Sequence, residues 1–505
     1  MAESVKENNK DFKEGLKTTG LFGGVQIFKI LISIISTKFV AVLLGPAGYG
    51  ISSLLSSTTG LIGTVSGLGL RTSAVRDVSE AYASHDNNRF NKTVHVFRRL
   101  VWITGLLGLL ACALLSPLWS HLNFGNYNYT WAFIALSITL LLGQISSGQG
   151  VVLQGTRSFK NMAKSGMIGS VLGLITTVPI YYILGIDGIV PVMIITSVIS
   201  ICLTFYYSRK IKVENVYLTW KETFTNGNIM LKMGFFIMLQ SFFSTFCAYI
   251  IRIYISRTGS VEDVGLYNSG FNIINTYVGL VFTAMATDYY PRLSSYANDE
   301  KHFLNAVNQE MELSLILLAP MIALFLVFGE LGVQILYSSK FLGATIMILC
   351  GILGIFLKAP GWCLGFTFLA KGDSKAFFWN ELAAETINLV LCLISYNVMG
   401  LNGLGVAFIL EYLIYDVQCI IVCKIRYNYK LNYETLRIFI PQFVISLIIF
   451  LMAIYLSSLY KYTFGIVLFS ISLFLAYKEL SKKADVKAII ANKLFVKRHK
   501  NRNNE

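Results

Sequence analysis

The chain is poor in charged residues, proline and histidine. Only 14% of its 505 residues are charged, and it contains 8 prolines and 5 histidines. Soluble globular chains carry roughly 25% charged residues, so the composition excludes a water-soluble enzyme, a nucleic-acid reader and a secreted scaffold. Hydrophobic residues instead make up 55% of the chain, and the mean hydropathy is +0.62. This composition predicts an all-α integral membrane protein.

Several motifs that carry chemistry are also absent from the sequence. It has no Gly-Lys dipeptide and therefore no P-loop, and it has neither a His-Glu-x-x-His nor a Cys-x-x-Cys pattern. The eight cysteines lie inside apolar runs, which is typical of small core residues. We therefore expect no catalytic residues, no cofactor and no metal site. A helical membrane protein without these features is most simply a secondary transporter and not an enzyme.

Apolar runs of 18 or more residues between polar breaks predict about fourteen membrane-spanning helices. The runs cover residues 20–44, 50–70, 97–118, 130–153, 165–184, 188–208, 231–256, 265–288, 311–335, 342–369, 376–398, 402–423, 435–459 and 461–477. Tight glycine turns separate some neighbouring runs, as at Gly45–Gly48 and Gly185–Gly188.

The basic residues predict the orientation of these helices. With the N-terminus inside, 34 of the 42 Lys and Arg residues fall in cytoplasmic segments, and only Arg257, Lys340 and Lys461 fall in outer loops. Lys and Arg accumulate in the cytoplasmic loops of membrane proteins. The distribution therefore predicts an even number of spans with both termini in the cytoplasm.

An internal repeat has an offset near 216 residues. Leu153–Lys160 corresponds to Leu369–Ala376, and Gly185–Gly188 corresponds to Gly400–Gly403. The offset covers six helices, an even number, so both copies have the same orientation in the membrane. The repeat therefore predicts two parallel, pseudo-symmetric six-helix lobes followed by two further helices.

The repeat also predicts the domain organisation. We expect an N-terminal lobe of helices 1–6, a C-terminal lobe of helices 7–12, a final helix pair and a basic cytoplasmic tail attracted to anionic lipid. Their limits are 1–210, 211–430, 431–480 and 481–505.

Four cations inside the predicted spans are candidates for substrate binding. They are Lys29, Lys38, Arg252 and Lys358. A charged side chain that faces lipid costs at least about 2.5 kcal/mol, so a charge within a span indicates a functional site. Cations lining a cleft favour an anionic substrate such as a pyrophosphate.

Four acidic residues lie in the predicted helices 11 and 12. Glu381 and Glu385 share a face of helix 11, and Glu411 and Asp416 lie in helix 12. Two interpretations of these acids stay open. They carry a coupling cation or proton, or they form ion pairs with the intramembrane cations.

Three segments resemble Wzx-type flippases of lipid-linked oligosaccharides, in the multidrug/oligosaccharidyl-lipid/polysaccharide exporter superfamily. The segments are Lys29 and Lys38 followed by 44–50, Arg252 followed by 262–267, and 358–381. The resemblance implies a V-shaped pair of six-helix bundles with alternating access. It also implies that Lys29, Lys38, Arg252 and Lys358 meet the pyrophosphate and the sugar.

The resemblance further implies a substrate and a location. The substrate is an undecaprenyl-pyrophosphate-linked oligosaccharide, an O-antigen or capsule repeat unit, moved from the cytoplasmic to the periplasmic leaflet of the bacterial inner membrane. The expected partners are this substrate, membrane lipids and other polysaccharide-assembly proteins, and nucleic acid is not expected among them.

Other functions remain open on the sequence. A lipid II flippase would share the fold and the cationic cleft. A cation-coupled multidrug antiporter would carry more acidic residues and fewer cations in its cavity. A membrane glycosyltransferase or ligase is disfavoured by the short loops.

Overall fold

The computed structural model describes residues 2–483, with side chains from residue 24 onward except at positions 27, 277, 278, 280, 284, 287 and 458. The predicted basic tail from residue 484 lies outside the described residues. The described part is built from α-helices, which are α1 (Ala2–Gly67), α2 (Leu70–Ala83), α3 (Asn87–Leu114), α4 (Ser116–Phe124), α5 (Thr130–Gly155), α6 (Phe159–Leu184), α7 (Ile189–Ser208), α8 (Trp220–Thr258), α9 (Val261–Asn272), α10 (Leu280–Ser295), α11 (Glu300–Leu336), α12 (Thr345–Ala370), α13 (Ser374–Tyr427), α14 (Tyr433–Tyr455) and α15 (Ser458–Lys483).

Ten helical segments among the described residues are long and apolar enough to cross a membrane. Three of them, of 44, 50 and 54 residues, are bent at one glycine each. These glycines are Gly45 (φ 66°), Gly185 (φ 56°) and Gly400 (φ 58°). Only glycine adopts this left-handed conformation at low cost, so each long helix divides into two predicted spans at the turn. About 20 residues suffice for each crossing.

The predicted span at 265–288 has a less regular course than the others. It runs through α9, a π-helical stretch at Ile273–Val278 and α10. All fourteen predicted spans thus lie in helices, and the all-α membrane class predicted from the sequence is confirmed. Two shorter helices, α2 and α4, lie outside the predicted spans.

The backbone repeats the same turn at an offset of 215 residues. Helix α5 is followed by Arg157 (φ 53°), and α12 is followed by Lys371 and then Gly372 (φ 69°). One residue later, the amides of Ser158 and Asp373 each donate to the carbonyl five residues earlier, at 2.8 and 2.9 Å. This is the Schellman pattern of helix ends. The bend glycines of the second and third long segments have the same spacing, so the internal repeat is present in the backbone as well.

The helices form two compact units. The first contains residues 1–265 and 335–340, and the second contains residues 266–334 and 341–505. In the first unit, α8 packs against α1, α2 and α3. In the second unit, α12 packs extensively against α13 and also contacts α10 and α14. The lobe limits drawn from the repeat stay a prediction.

Two glycines of the first unit allow two backbones to touch. A methyl group built on Gly50 of α1 would overlap the carbonyl oxygen of Val261, and one on Gly265 of α9 would overlap that of Pro46. The two glycines also face each other, since the amide nitrogen of Gly265 lies 3.0 Å from the place of a Gly50 methyl. This contact joins the turn of the first long helix to the start of α9.

Candidate functional site

Three of the four predicted cations belong to the first unit. Lys29 and Lys38 lie on α1 before its bend at Gly45, and Arg252 lies on α8. All three side chains are half-buried. The Nη1 atom of Arg252 donates to the carbonyl of Ala248, one helical turn earlier, at 2.9 Å.

Lys29 lies against a residue that has no side chain. A methyl group at Gly166 of α6 would be 2.5 Å from the Nζ atom of Lys29 and 2.7 Å from its Cε atom. The lysine side chain therefore occupies the space that any larger residue at position 166 would fill. Gly166 thus determines where the ammonium of Lys29 lies, and the sequence contains no signal for this contact.

A buried polar network holds α8 in the first unit. The Nδ2 atom of Asn123, on α4, donates to the hydroxyl of Tyr249 on α8 at 3.1 Å. The hydroxyl of Thr58 donates to Oδ1 of Asn123 at 3.2 Å, and that of Ser256 donates to the Asn123 carbonyl at 2.6 Å. Helix α8, which carries Arg252, is thereby joined to α1 and α4.

The fourth cation, Lys358, lies in the second unit on α12. Its ammonium lies 5.2 Å from the ring centre of Tyr412 and 5.9 Å from that of Phe282. Cations are attracted to the faces of aromatic rings at such distances. The strongest electrostatic attraction on Lys358 comes from Glu411, followed by Glu381 and Glu385. The structure thus brings one predicted cation together with three of the predicted acids.

The three carboxylates are partnered to different extents. Glu381 accepts a hydrogen bond of 2.8 Å from the hydroxyl of Tyr415. The Oε2 atom of Glu411 is buried and has no hydrogen-bond partner among the described residues. One ammonium faces three carboxylates, so the cluster has an excess of negative charge if all three are ionised. Like charges in a common site disfavour joint ionisation, so a proton or a small cation is needed to balance them.

Asp416 has a different environment from the other three acids. Its Oδ1 atom accepts a hydrogen bond of 2.6 Å from the amide of Gly361, the residue after Pro360. Proline within a helix removes a hydrogen bond and leaves backbone groups in need of other partners. A carboxylate at such an amide acts as a cap, favoured by the helix dipole. Asp416 is therefore hydrogen-bonded to the α12 backbone.

Other acids of the second unit form ion pairs. Glu310 pairs with Arg292, which also lies 3.5 Å from Asp288. Glu312 pairs with Lys483 at the end of α15. Glu310 and Glu312 are only 3% exposed, which shows how buried carboxylates are stabilised here. Glu411 differs from them because its buried oxygen lacks such a partner.

Among residues 24–483, no group of three or more His, Cys, Asp or Glu side chains has a metal-binding arrangement. The acids around Lys358 are therefore a charge-balanced set in which a proton can be exchanged. We expect no resident metal there.

Helices that cross the membrane and carry ionisable side chains within the crossing segments define a membrane transporter. The chain belongs to the family of polysaccharide biosynthesis proteins, whose model matches residues 39–346. A putative O-antigen transporter of Shigella flexneri is 25% identical over 75% of this chain and 90% of its own length. A lipid III flippase of Escherichia coli K12 is 21% identical over 78% of this chain and 94% of its own length. The family predicted from the sequence motifs is confirmed.

Solved structures with the same fold come from related transporters. The lipid II flippase MurJ in an inward closed conformation matches 91% of this chain and 99% of its own, with a TM-score of 0.70 and 15% identity. An inward-facing MATE family multidrug resistance transporter matches 79% of this chain and 94% of its own, with a TM-score of 0.62 and 13% identity. At these identities the likeness establishes the fold alone.

Proposed function

We propose that the protein is a flippase that moves an undecaprenyl-pyrophosphate-linked oligosaccharide from the cytoplasmic to the periplasmic leaflet by alternating access. The cargo is an O-antigen or capsule repeat unit. The observation that carries the proposal is the likeness along most of the chain to an O-antigen transporter and a lipid III flippase. The half-buried cations within the spans supply the matching chemistry.

The pyrophosphate is the part of the cargo that needs protein groups. Its phosphate oxygens lose water on entering the membrane, and an unpaired charge in a low-dielectric medium is very costly. Lys29, Lys38 and Arg252 of the first unit and Lys358 of the second replace that water. Lysine supplies a mobile charge, and arginine supplies a planar fork that matches phosphate.

The acidic set supplies the coupling. Glu381, Glu385 and Glu411 face a single ammonium, and the buried oxygen of Glu411 lacks a hydrogen-bond partner within the described part. We infer that this set binds a proton or a small cation, and that its charge changes during the transport cycle. Asp416, bonded to Gly361, supports the same set by holding the broken helix α12 in place.

A second candidate is a lipid II flippase, which the fold of MurJ supports at a TM-score of 0.70. The sequence relatives named above favour the O-antigen class over it. A cation-coupled multidrug antiporter shares the fold of the MATE transporters. Its cationic substrates would be repelled by Lys29, Lys38 and Arg252, which disfavours this function.

We place the protein in the bacterial inner membrane with both termini in the cytoplasm, because the Lys and Arg residues concentrate in the segments on that side. A cysteine introduced at Asn88 should then resist membrane-impermeant thiol reagents in intact cells, and rapid labelling there would contradict this orientation. Other polysaccharide-assembly proteins are the expected partners.

Removing the protein should separate the three functions. Deletion in its native strain should abolish surface polysaccharide and leave lipid-linked oligosaccharide in membrane extracts, and a plasmid copy should restore both. Arrested cell-wall synthesis would instead indicate a lipid II flippase. Altered drug sensitivity with normal surface polysaccharide would indicate a multidrug antiporter.

Changing Gly166 to alanine tests the position of a cation without removing its charge. The added methyl group should displace the ammonium of Lys29 and lower transport about tenfold, because a displacement of ~1 Å of a positioned group costs up to about 100-fold. Surface polysaccharide in a complemented deletion strain measures the effect. Gly173→Ala on the same helix is the control, since its methyl group would only approach Thr196 at 4.0 Å. Equal activity of the two variants would contradict a role for the position of Lys29.

A further inference from the structure

Helix α12 has one narrow accessible face. From Met347 to Phe368 every residue is buried except Lys358, Trp362 and Phe366. These three residues follow one another at intervals of four, which places them in one row along the helix. The rise of 1.5 Å per residue separates the lysine from the two rings by about 6 and 12 Å along the axis.

The accessible face of α12 is suited to a polar cleft. A helix that faces lipid presents a broad apolar surface, whereas α12 presents a single row that begins with a lysine. Placing that lysine against lipid would cost at least about 2.5 kcal/mol, so the row faces a space that admits polar groups. Trp362 and Phe366 line the same space as Lys358.

Aromatic residues of α10 hold the two rings in place. Trp362 lies 5.0 Å from Phe282 and 5.0 Å from Phe366, measured between ring centres. Tyr289 lies 5.9 Å from Trp362 and 5.6 Å from Phe366, and its hydroxyl donates to the carbonyl of Cys363 at 2.9 Å. Tyr290 lies 5.9 Å from Phe366 and is 41% exposed. The rings are therefore fixed by packing on one side and accessible on the other.

We propose that Trp362 and Phe366 form a stacking surface for the sugar rings of the cargo, beside Lys358, which binds its pyrophosphate. This inference rests on the proposed flippase function. A sugar ring has an apolar face of C–H groups, whose positive edge suits the negative face of an aromatic ring, while its hydroxyls stay in water. The order along α12 (cation, ring, ring) matches the order in the cargo of pyrophosphate, first sugar and second sugar.

The test compares two lipids that differ only in the sugars. One is undecaprenyl pyrophosphate, and the other is the lipid-linked oligosaccharide extracted from the deletion strain. Trp362→Leu and Phe366→Leu in the full-length protein, purified in nanodiscs, should each weaken binding of the sugar-bearing lipid about five- to tenfold. Binding of the sugar-free lipid should be unchanged, which also shows that the variants fold. Trp362→Phe should retain most of the affinity.

Trp379→Leu is the matched control, because Trp379 lies on α13 and is 66% exposed. This variant should bind both lipids like the parent protein. Equal weakening of both lipids by Trp362→Leu would assign the ring to the prenyl chain or to folding and would overturn the proposal. Unchanged binding of the sugar-bearing lipid in both leucine variants would also overturn it. In either case the flippase function stands, because that function is tested separately by the deletion phenotype.

Discussion

Replacing Lys358 with alanine should reduce surface polysaccharide at least 100-fold in a complemented deletion strain, with the variant still present in the membrane. The substitution removes the one ammonium that faces Glu381, Glu385 and Glu411, and it also removes a partner of the pyrophosphate. Removing one member of a buried charge pair costs about 3–5 kcal/mol, which corresponds to a factor of about 100 or more. Immunoblots of membrane fractions measure the protein level.

Two further variants distinguish substrate binding from charge balance. If Lys358 only compensates the acids, then Lys358→Ala combined with Glu411→Gln should recover activity, because both charges are removed together. If Lys358 binds the pyrophosphate, the double variant should stay inactive, which is the result we expect. Lys232→Ala is the control, since Lys232 is an exposed lysine within the span of α8. Wild-type transport by Lys358→Ala would contradict the cationic site.

Replacing Gly50 with alanine should strongly reduce the amount of folded protein in the membrane. The added methyl group would overlap the carbonyl oxygen of Val261 and lie 3.0 Å from the amide nitrogen of Gly265. Both obstacles are backbone atoms, so no side chain can turn aside and two helical segments must separate. Overpacking of this kind costs typically about 1–3 kcal/mol and sometimes more. Membrane levels and the thermal stability of the detergent-purified protein measure the effect.

Gly60→Ala is the matched control, because a methyl group at Gly60 of the same helix would meet nothing within 4 Å. Alanine favours a helix over glycine by about 1 kcal/mol, so this variant should be as stable as the parent or slightly more so. A melting temperature of Gly50→Ala equal to that of Gly60→Ala would show that the two backbones do not need to touch.

Much of the fold could be predicted from the sequence because it depends on local properties. A long apolar run in lipid must satisfy its own backbone hydrogen bonds, and a helix does so within the run. A glycine between two such runs marks a turn that other residues adopt only with strain, as at Gly45, Gly185 and Gly400. The repeat was visible near 216 residues because Arg157 and Gly372 end their helices in the same way.

The candidate site could be predicted only in part. Lys358 and the acids were recognisable as charged residues within apolar segments, which a single sequence reveals. Which acid meets which cation depends on how α10, α12 and α13 pack, and residues up to 58 positions apart decide it. Glu310 is paired with Arg292, whereas Asp416 bonds to the backbone at Gly361. The sequence left both interpretations open for these acids.

The sequence by itself determined the class of protein, the number and approximate limits of the spans, and the family. These follow from the hydrophobic effect and from backbone stereochemistry, which act over one helix or one turn. The tertiary structure decided that Lys29 lies on Gly166, that Gly50 meets Val261, and that Trp362 and Phe366 share the accessible face with Lys358. These features depend on which helix faces become neighbours. Residues distant in the chain set that choice, and local periodicity carries no information about it.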